Sequence, residues 1–154
     1  MDAPSRSLAP SYRSDPAVPA FPDDRPVIIF DGQCALCSGF VGFILKHDRH
    51  KRFRLAPAQS KLGAALYAHY AKAGRDYETH MLIENGEASF KSTAAIRMVE
   101  ILGPPWSLTA LARVVASPLR DWVYDRVARN RIFWFGARQT CFTPPPQDVD
   151  RFLA

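Results

Sequence analysis

Four consecutive apolar residues, Val27-Ile28-Ile29-Phe30, begin the clearest pattern in the chain. An unbroken β-branched run suits a parallel strand buried on both faces, and Asp31-Gly32 ends it with turn chemistry. From Cys34 the period changes, and Cys37, Val41, Ile44 and Leu45 recur at helical spacing beside Phe40. Gly39 and Gly42 each weaken that helix by about 1 kcal/mol relative to Ala, so burial has to compensate. Phe53-Arg54-Leu55-Ala56 predicts a second strand stopped by Pro57, and Leu62, Leu66 and Tyr70 mark one face of a helix that Gly74 closes. Met81-Leu82-Ile83 and Ala88-Ser89-Phe90 flank Asn85-Gly86, the pair best suited to the positive φ angles of a type I′ hairpin. Ser92 then stands where it caps a helix through Ile96, Val99 and Leu102, ended by Gly103-Pro104-Pro105. Leu108, Leu111 and Val115 stripe a further helix, and Ser117-Pro118 opens a last one carrying Leu119, Trp122, Val123 and Val127.

The predicted order is β-α-β-α-β-β-α with two additional C-terminal helices. Pairing is parallel where a helix intervenes and antiparallel at the hairpin, which gives an α/β fold with a thioredoxin- or glutaredoxin-like core. Residues 1–26 hold six of the thirteen prolines and no apolar period, so a disordered Pro/Ser-rich arm is expected there. The domain is expected over 27–142, with 143–154 a Pro-rich tail.

Composition bounds this picture without changing it. A chain of 154 residues, 47% hydrophobic and 23% charged, can bury one core and belongs to neither the disordered nor the fibrous class. The net charge of +5 favours acidic partners or anionic ligands mildly. Three cysteines are too few for a disulfide scaffold, and a close pair plus a distant single suits a reducing compartment, so a cytoplasmic location is expected. No targeting segment is visible, and Trp106 to Leu119, interrupted by Arg113 and Pro118, falls short of the roughly 20 apolar residues of a membrane span.

The chemistry lies in Cys34-Ala35-Leu36-Cys37. Disulfide exchange needs a thiolate to attack and a second thiol to resolve the mixed disulfide, and one helical turn brings the two together. At the first turn, unpaired N–H groups and the helix dipole stabilise a Cys34 thiolate, which makes Cys34 the nucleophile; Cys37, on the Val41 and Ile44 face, is the resolving thiol. Zinc is the competing use, because His47 and His50 follow. Yet Cys37 to His47 spans about 15 Å on a continuous helix, whereas a zinc ion holds its donors at about 2.0–2.3 Å. The histidines, with Lys46, Arg49, Lys51 and Arg52, instead fit a basic helix end. No metal and no cofactor are expected. Cys141, beside Phe142 and the run Phe133-Trp134-Phe135, is expected to pack, with a resolving role as its alternative.

Phe30-Asp31-Gly32-Gln33-Cys34-Ala35-Leu36-Cys37 resembles the signature of the DCC family of thiol-disulfide oxidoreductases, named for an Asp and two Cys in this arrangement. Ala58-Gln59-Ser60 resembles a Gln-Ser step of that family, and Ser92 with Ala94 or Ala95 its Ser-x-Ala. Leu119-Arg120-Asp121, Tyr124, Ala128, Asn130-Arg131, Phe135-Gly136 and Cys141 resemble its end segment, so the similarity covers about residues 27–141. The resemblance implies a thioredoxin-like fold and exchange at Cys34 and Cys37 with a protein or low-molecular-weight thiol or disulfide substrate. It makes Asp31 a third site residue, either a carboxylate that takes a proton from the cysteines or orients the loop, or a turn residue. Where thioredoxins carry a cis-proline before the hairpin strand, this chain has Glu78-Thr79, which implies a trans bond and a different substrate groove. Lys91 and Ser92 at a helix start could hold the carboxylate of a substrate such as glutathione, with capping the other role of Ser92.

The alternative class is a non-catalytic module binding nucleic acid or protein through Arg113, Arg120, Arg126, Arg129, Arg131 and Arg138 interleaved with Trp122, Tyr124 and Trp134. Asp121 and Asp125 dilute that stripe, and aromatics so spaced are more often core than stacking platforms, so nucleic acid is not the expected partner. A metal module built on Cys34, Cys37 and Cys141 requires the C-terminal segment to fold back onto the pair.

Overall fold

The unbroken apolar run becomes the centre of a four-stranded sheet. The structure is a computed structural model that describes residues 11–22, 24–32, 35–71, 81–136 and 145–153, without the side chains of residues 71, 91, 131 and 132. Strand β1 (Val27–Phe30) has every residue fully buried. It pairs in parallel with β2 (Arg54–Pro57), Ile28 opposite Leu55, and antiparallel with β3 (Met81–Glu84), Ile28 opposite Leu82. Strand β4 (Glu87–Phe90) completes the order β2-β1-β3-β4. The β3–β4 turn is the expected one, with Asn85 at φ 52° and Gly86 at φ 81°.

Alternation along β1 divides the core. Ile28 and Phe30 point to one face, where Val41, Ile44 and Leu45 of α1 (Ala35–His47) and Ala94 and Met98 of α3 (Lys91–Ile101) cover them. Val27 and Ile29 point to the other, under Leu62, Leu66 and Tyr70 of α2 (Lys61–Ala71). The result is a helix layer on each side of a mixed sheet, the thioredoxin-like α/β arrangement expected from element order. The expected C-cap of α2, Gly74, lies outside the described residues. At the other end of that helix, Ser60 Oγ accepts from Gly63 N–H at 3.0 Å and donates to the Pro57 carbonyl at 2.7 Å, so Ser60 caps α2. The fit is close: a Cβ on Gly63 would stand 2.1 Å from the Pro57 oxygen.

The packing reaches past both expected domain limits. Residues 1–10 lie outside the described residues, but Tyr12 and Val18, within the expected disordered arm, are buried in the α2-side core. Tyr70 Oη accepts from Tyr12 N–H at 2.9 Å and donates to Gly86 O at 2.7 Å, tying this segment to both α2 and the hairpin. In the expected tail, a 3-10 turn (Pro146–Arg151) buries Arg151, which ion-pairs with buried Asp48 and with Asp148 and donates to Phe53 O at 3.2 Å. Asp48 also accepts from Arg52 and Phe53 N–H, so the buried charge is well satisfied. Leu153 N–H donates to Leu55 O, laying the segment along the outer edge of β2.

The C-terminal helices depart furthest from expectation. Trp106–Val114 is a 3-10 helix with no buried residue, and Leu108 and Leu111 are exposed rather than inward. Helix α4 (Ser117–Phe135) packs on α3 and α1, yet Leu119, Trp122 and Val123, expected to face the core, are exposed, and Asp121 and Ala128 are buried instead. The aromatics of the Arg-rich stripe are likewise not core: Trp122 is 62% and Trp134 52% exposed. Phe133 and Phe135, expected to pack with Cys141, are exposed too. Among the described residues no helix is long and apolar enough to cross a membrane.

Candidate functional site at the carboxyl end of the central strand

The register brings the ends of β1, β2 and β4 and the start of β3 to one end of the sheet, since Phe30 pairs with Pro57, Ile29 with Met81 and Met81 with Phe90. The turn leaving β1, the first turn of α1, the Ala58-Gln59 step and the start of α3 therefore meet there. Ligands of open α/β sheets collect at such carboxyl ends.

Of the predicted pair, Cys37 stands in the first turn of α1, its thiol 6% exposed, on the same face as Val41 and Ile44. That is the burial expected of a resolving thiol. Cys34 lies outside the described residues, immediately before the helix begins at Ala35. Cys141, Glu78 and Thr79 also lie outside them, as does the side chain of Lys91.

Among the described residues, hydrogen bonds from both sides hold the turn before the pair. Ala58 N–H donates to Phe30 O at 2.7 Å, and Ser38 Oγ donates to Gly32 O at 3.4 Å. Gln59 supplies two more from one amide: its Oε1 accepts from Gly32 N–H at 3.1 Å, and its Nε2 donates to Asp31 Oδ1 at 2.6 Å. The amide can lie only this way round, because a backbone N–H only donates and a carboxylate only accepts. Asp31 is buried, so its carboxylate relies on protein partners. The family resemblance singled out Gln59 as part of a Gln-Ser step without a role for it; the signal was its place just after the strand beside β1.

Ser92 is not the cap expected of it. The N-cap of α3 is Phe90, which makes no side-chain cap bond, and Ser92 lies two residues after it, inside the helix. Its Oγ donates to Asp121 Oδ1, and its N–H donates to the same oxygen at 3.3 Å. A carboxylate of the chain itself thus occupies these donors, and its negative charge opposes a second carboxylate there. The bond joins α4 to α3 and explains why Asp121 faces inward. At its far end α4 reaches the cysteine helix, where Ala35 N–H donates to Gly136 O at 3.4 Å.

His47, weighed against zinc, hydrogen-bonds through Nδ1 to Phe43 O at 2.8 Å and packs against the rings of Phe43 and Trp106.

Comparison with known proteins finds relatives of this chain. The model of the DCC1-like thiol-disulfide oxidoreductase family matches residues 28–137. Over 127 residues the chain is 39% identical to the uncharacterized protein YuxK of Bacillus subtilis (strain 168), covering 82% of this chain and 93% of that one. A chloroplastic DCC family protein of Arabidopsis thaliana is 36% identical over 121 residues, 77% of this chain and 70% of its own. No solved structure matches.

Proposed function

The chain belongs to the DCC1-like thiol-disulfide oxidoreductase family, and from that premise we propose that it exchanges disulfides through Cys34 and Cys37. The Cys34 thiolate attacks one sulfur of a substrate disulfide; that S–S bond breaks, and the departing sulfur takes a proton from solvent. Cys37, after losing its proton, attacks the Cys34 sulfur and releases the second substrate thiol. The substrate gains two electrons and the pair becomes a disulfide, which a cellular dithiol reduces again. The substrate is a protein or a low-molecular-weight disulfide, and the setting is a reducing compartment such as the cytoplasm.

The observation that carries this reading is the seat of Cys37: a buried thiol in the first turn of α1, behind a turn that Gln59 and Ser38 hold. Core packing needs no such clamp, whereas exchange needs two sulfurs kept within reach of a third. The Gln59 contact favours the loop-orienting role of Asp31.

Cys37→Ser is expected to accumulate a mixed disulfide on Cys34, visible by non-reducing mass spectrometry of protein recovered from cells, and Cys34→Ser is expected to abolish exchange with a model disulfide. Undiminished exchange in Cys34→Ser would refute the assignment.

A further inference from the structure

Among the described residues, the exposed large apolar side chains fall between positions 108 and 135, with Val149 the exception. The 3-10 geometry organises the first part of this surface. At three residues per turn, side chains three apart eclipse one another, so Leu108, Leu111 and Val114 line one edge of Trp106–Val114, exposed by 66%, 70% and 88%. On α4 the exposed side chains Leu119, Trp122, Val123 and Phe133 fall on one side of the helix by their spacing. Exposed apolar side chains clustered in this way on a folded protein mark an interaction face.

Its charge identifies the partner. From Leu102 to Gly136 the sequence holds five arginines and two carboxylates. Asp121 is buried against Ser92 and Asp125 is half-buried, so neither stands among the exposed positions of the face. Arg126 and Arg129 are exposed on α4; Arg113 on the 3-10 helix is exposed too, but its guanidinium is ion-paired with Glu100. A second copy would set arginine against arginine. Nucleic acid would use the arginines and aromatics but has no use for exposed Leu and Val. Aliphatic side chains, Trp and Phe framed by Arg are what the interface of an anionic bilayer accepts, with the apolar groups among the acyl chains and guanidinium groups at the lipid phosphates.

We propose that the Trp106–Phe135 face seats on the surface of anionic membranes, lying on the bilayer without crossing it. The proposal stands independently of the exchange chemistry, but it has a geometric consequence for it. Because Gly136 contacts Ala35, the bound bilayer would lie beside the cysteine helix.

The test is co-sedimentation of the full chain with vesicles of phosphatidylcholine alone or mixed with phosphatidylglycerol, across a salt series. Binding to the mixed vesicles, weakening as salt rises, is expected, with quenching of tryptophan emission by brominated lipid. Arg126→Gln combined with Arg129→Gln should lower the partition about thirtyfold at low salt, taking about 1 kcal/mol per basic residue near the surface. Leu111→Glu with Val114→Glu should abolish binding, while the urea midpoint stays in place because both residues are exposed. The proposal is overturned if the chain ignores both vesicle types, if it sediments as a dimer that Leu111→Glu with Val114→Glu dissociates without any vesicle binding, or if it binds single-stranded nucleic acid in preference to vesicles.

Discussion

Replacing Gln59 by Met keeps the length and most of the bulk of the side chain and removes both bonds of the clamp. The bond from Gly32 N–H is neutral, worth about 0.5–1.5 kcal/mol, and the bond to the Asp31 carboxylate is charge-assisted, worth about 1.5–3 kcal/mol. Gln59 is half-buried, so water recovers part of this, and a loss of about 1–3 kcal/mol is expected. With a urea m-value of about 2 kcal/mol/M, the unfolding midpoint should fall by about 0.5–1.5 M at unchanged slope. Exchange with a model disulfide should slow by about tenfold, since the turn that delivers the pair is no longer held. Gln59→Glu sharpens the test. It keeps the acceptor for Gly32 but sets a second carboxylate against Asp31, 2.6 Å from where the amide donated. At pH 7 it should therefore be less stable than the Met variant. As pH falls, the facing carboxyls can share a proton, which raises the folded pKa of the pair. The recovered stability is then present at low pH and lost as pH rises through that raised value. A Glu variant no worse than Met at pH 7, or a gap between them that ignores pH, would refute the clamp.

Three further outcomes follow from packing and charge. Arg151→Met leaves buried Asp48 without its guanidinium, and a loss of about 3–5 kcal/mol in denaturant unfolding is expected. Gly63→Ala brings a methyl 2.1 Å from the Pro57 oxygen, so α2 must shift; unfolding should show a loss of about 1–3 kcal/mol despite the better helix propensity of Ala. The Asp15 carboxyl is held below its ordinary value of 3.8 by the Ala17 N–H and then by His69. Its contribution is complete above 3.8 and is lost as pH falls through the depressed folded value. Carbon-13 titration should place its midpoint below 3.8, and Asp15→Asn should flatten the acid limb of the stability curve.

The element order, the hairpin and the start of α1 were legible because each rests on a local rule: an unbroken β-branched run, an Asn-Gly turn, a change of period after the strand. The direction of β3 was not: parallel pairing was expected after a helix, and β3 runs antiparallel to β1. The Gln59 clamp was not, because its partners lie 27 and 28 positions away along the chain. Nor were the fates of Tyr12 and Arg151, each fastened to the domain by contacts distant in sequence. Ser92, expected at the N-cap, stands two residues past it, and that changed its meaning. A residue at the N-cap satisfies its own helix, whereas at its actual position it offers its donors to Asp121 of another helix.

The sequence by itself determined the α/β order, the hairpin and the place of Cys37 in the first turn of α1, since periodicity and turn chemistry act within a few residues. Only the tertiary structure decided which side of α4 lies inward. Its apolar residues occur all round the helix, so amphipathicity expresses no preference. The choice fell to Asp121, whose carboxylate finds donors at the start of α3, and the outer face kept Trp122, Val123 and Phe133 in solvent.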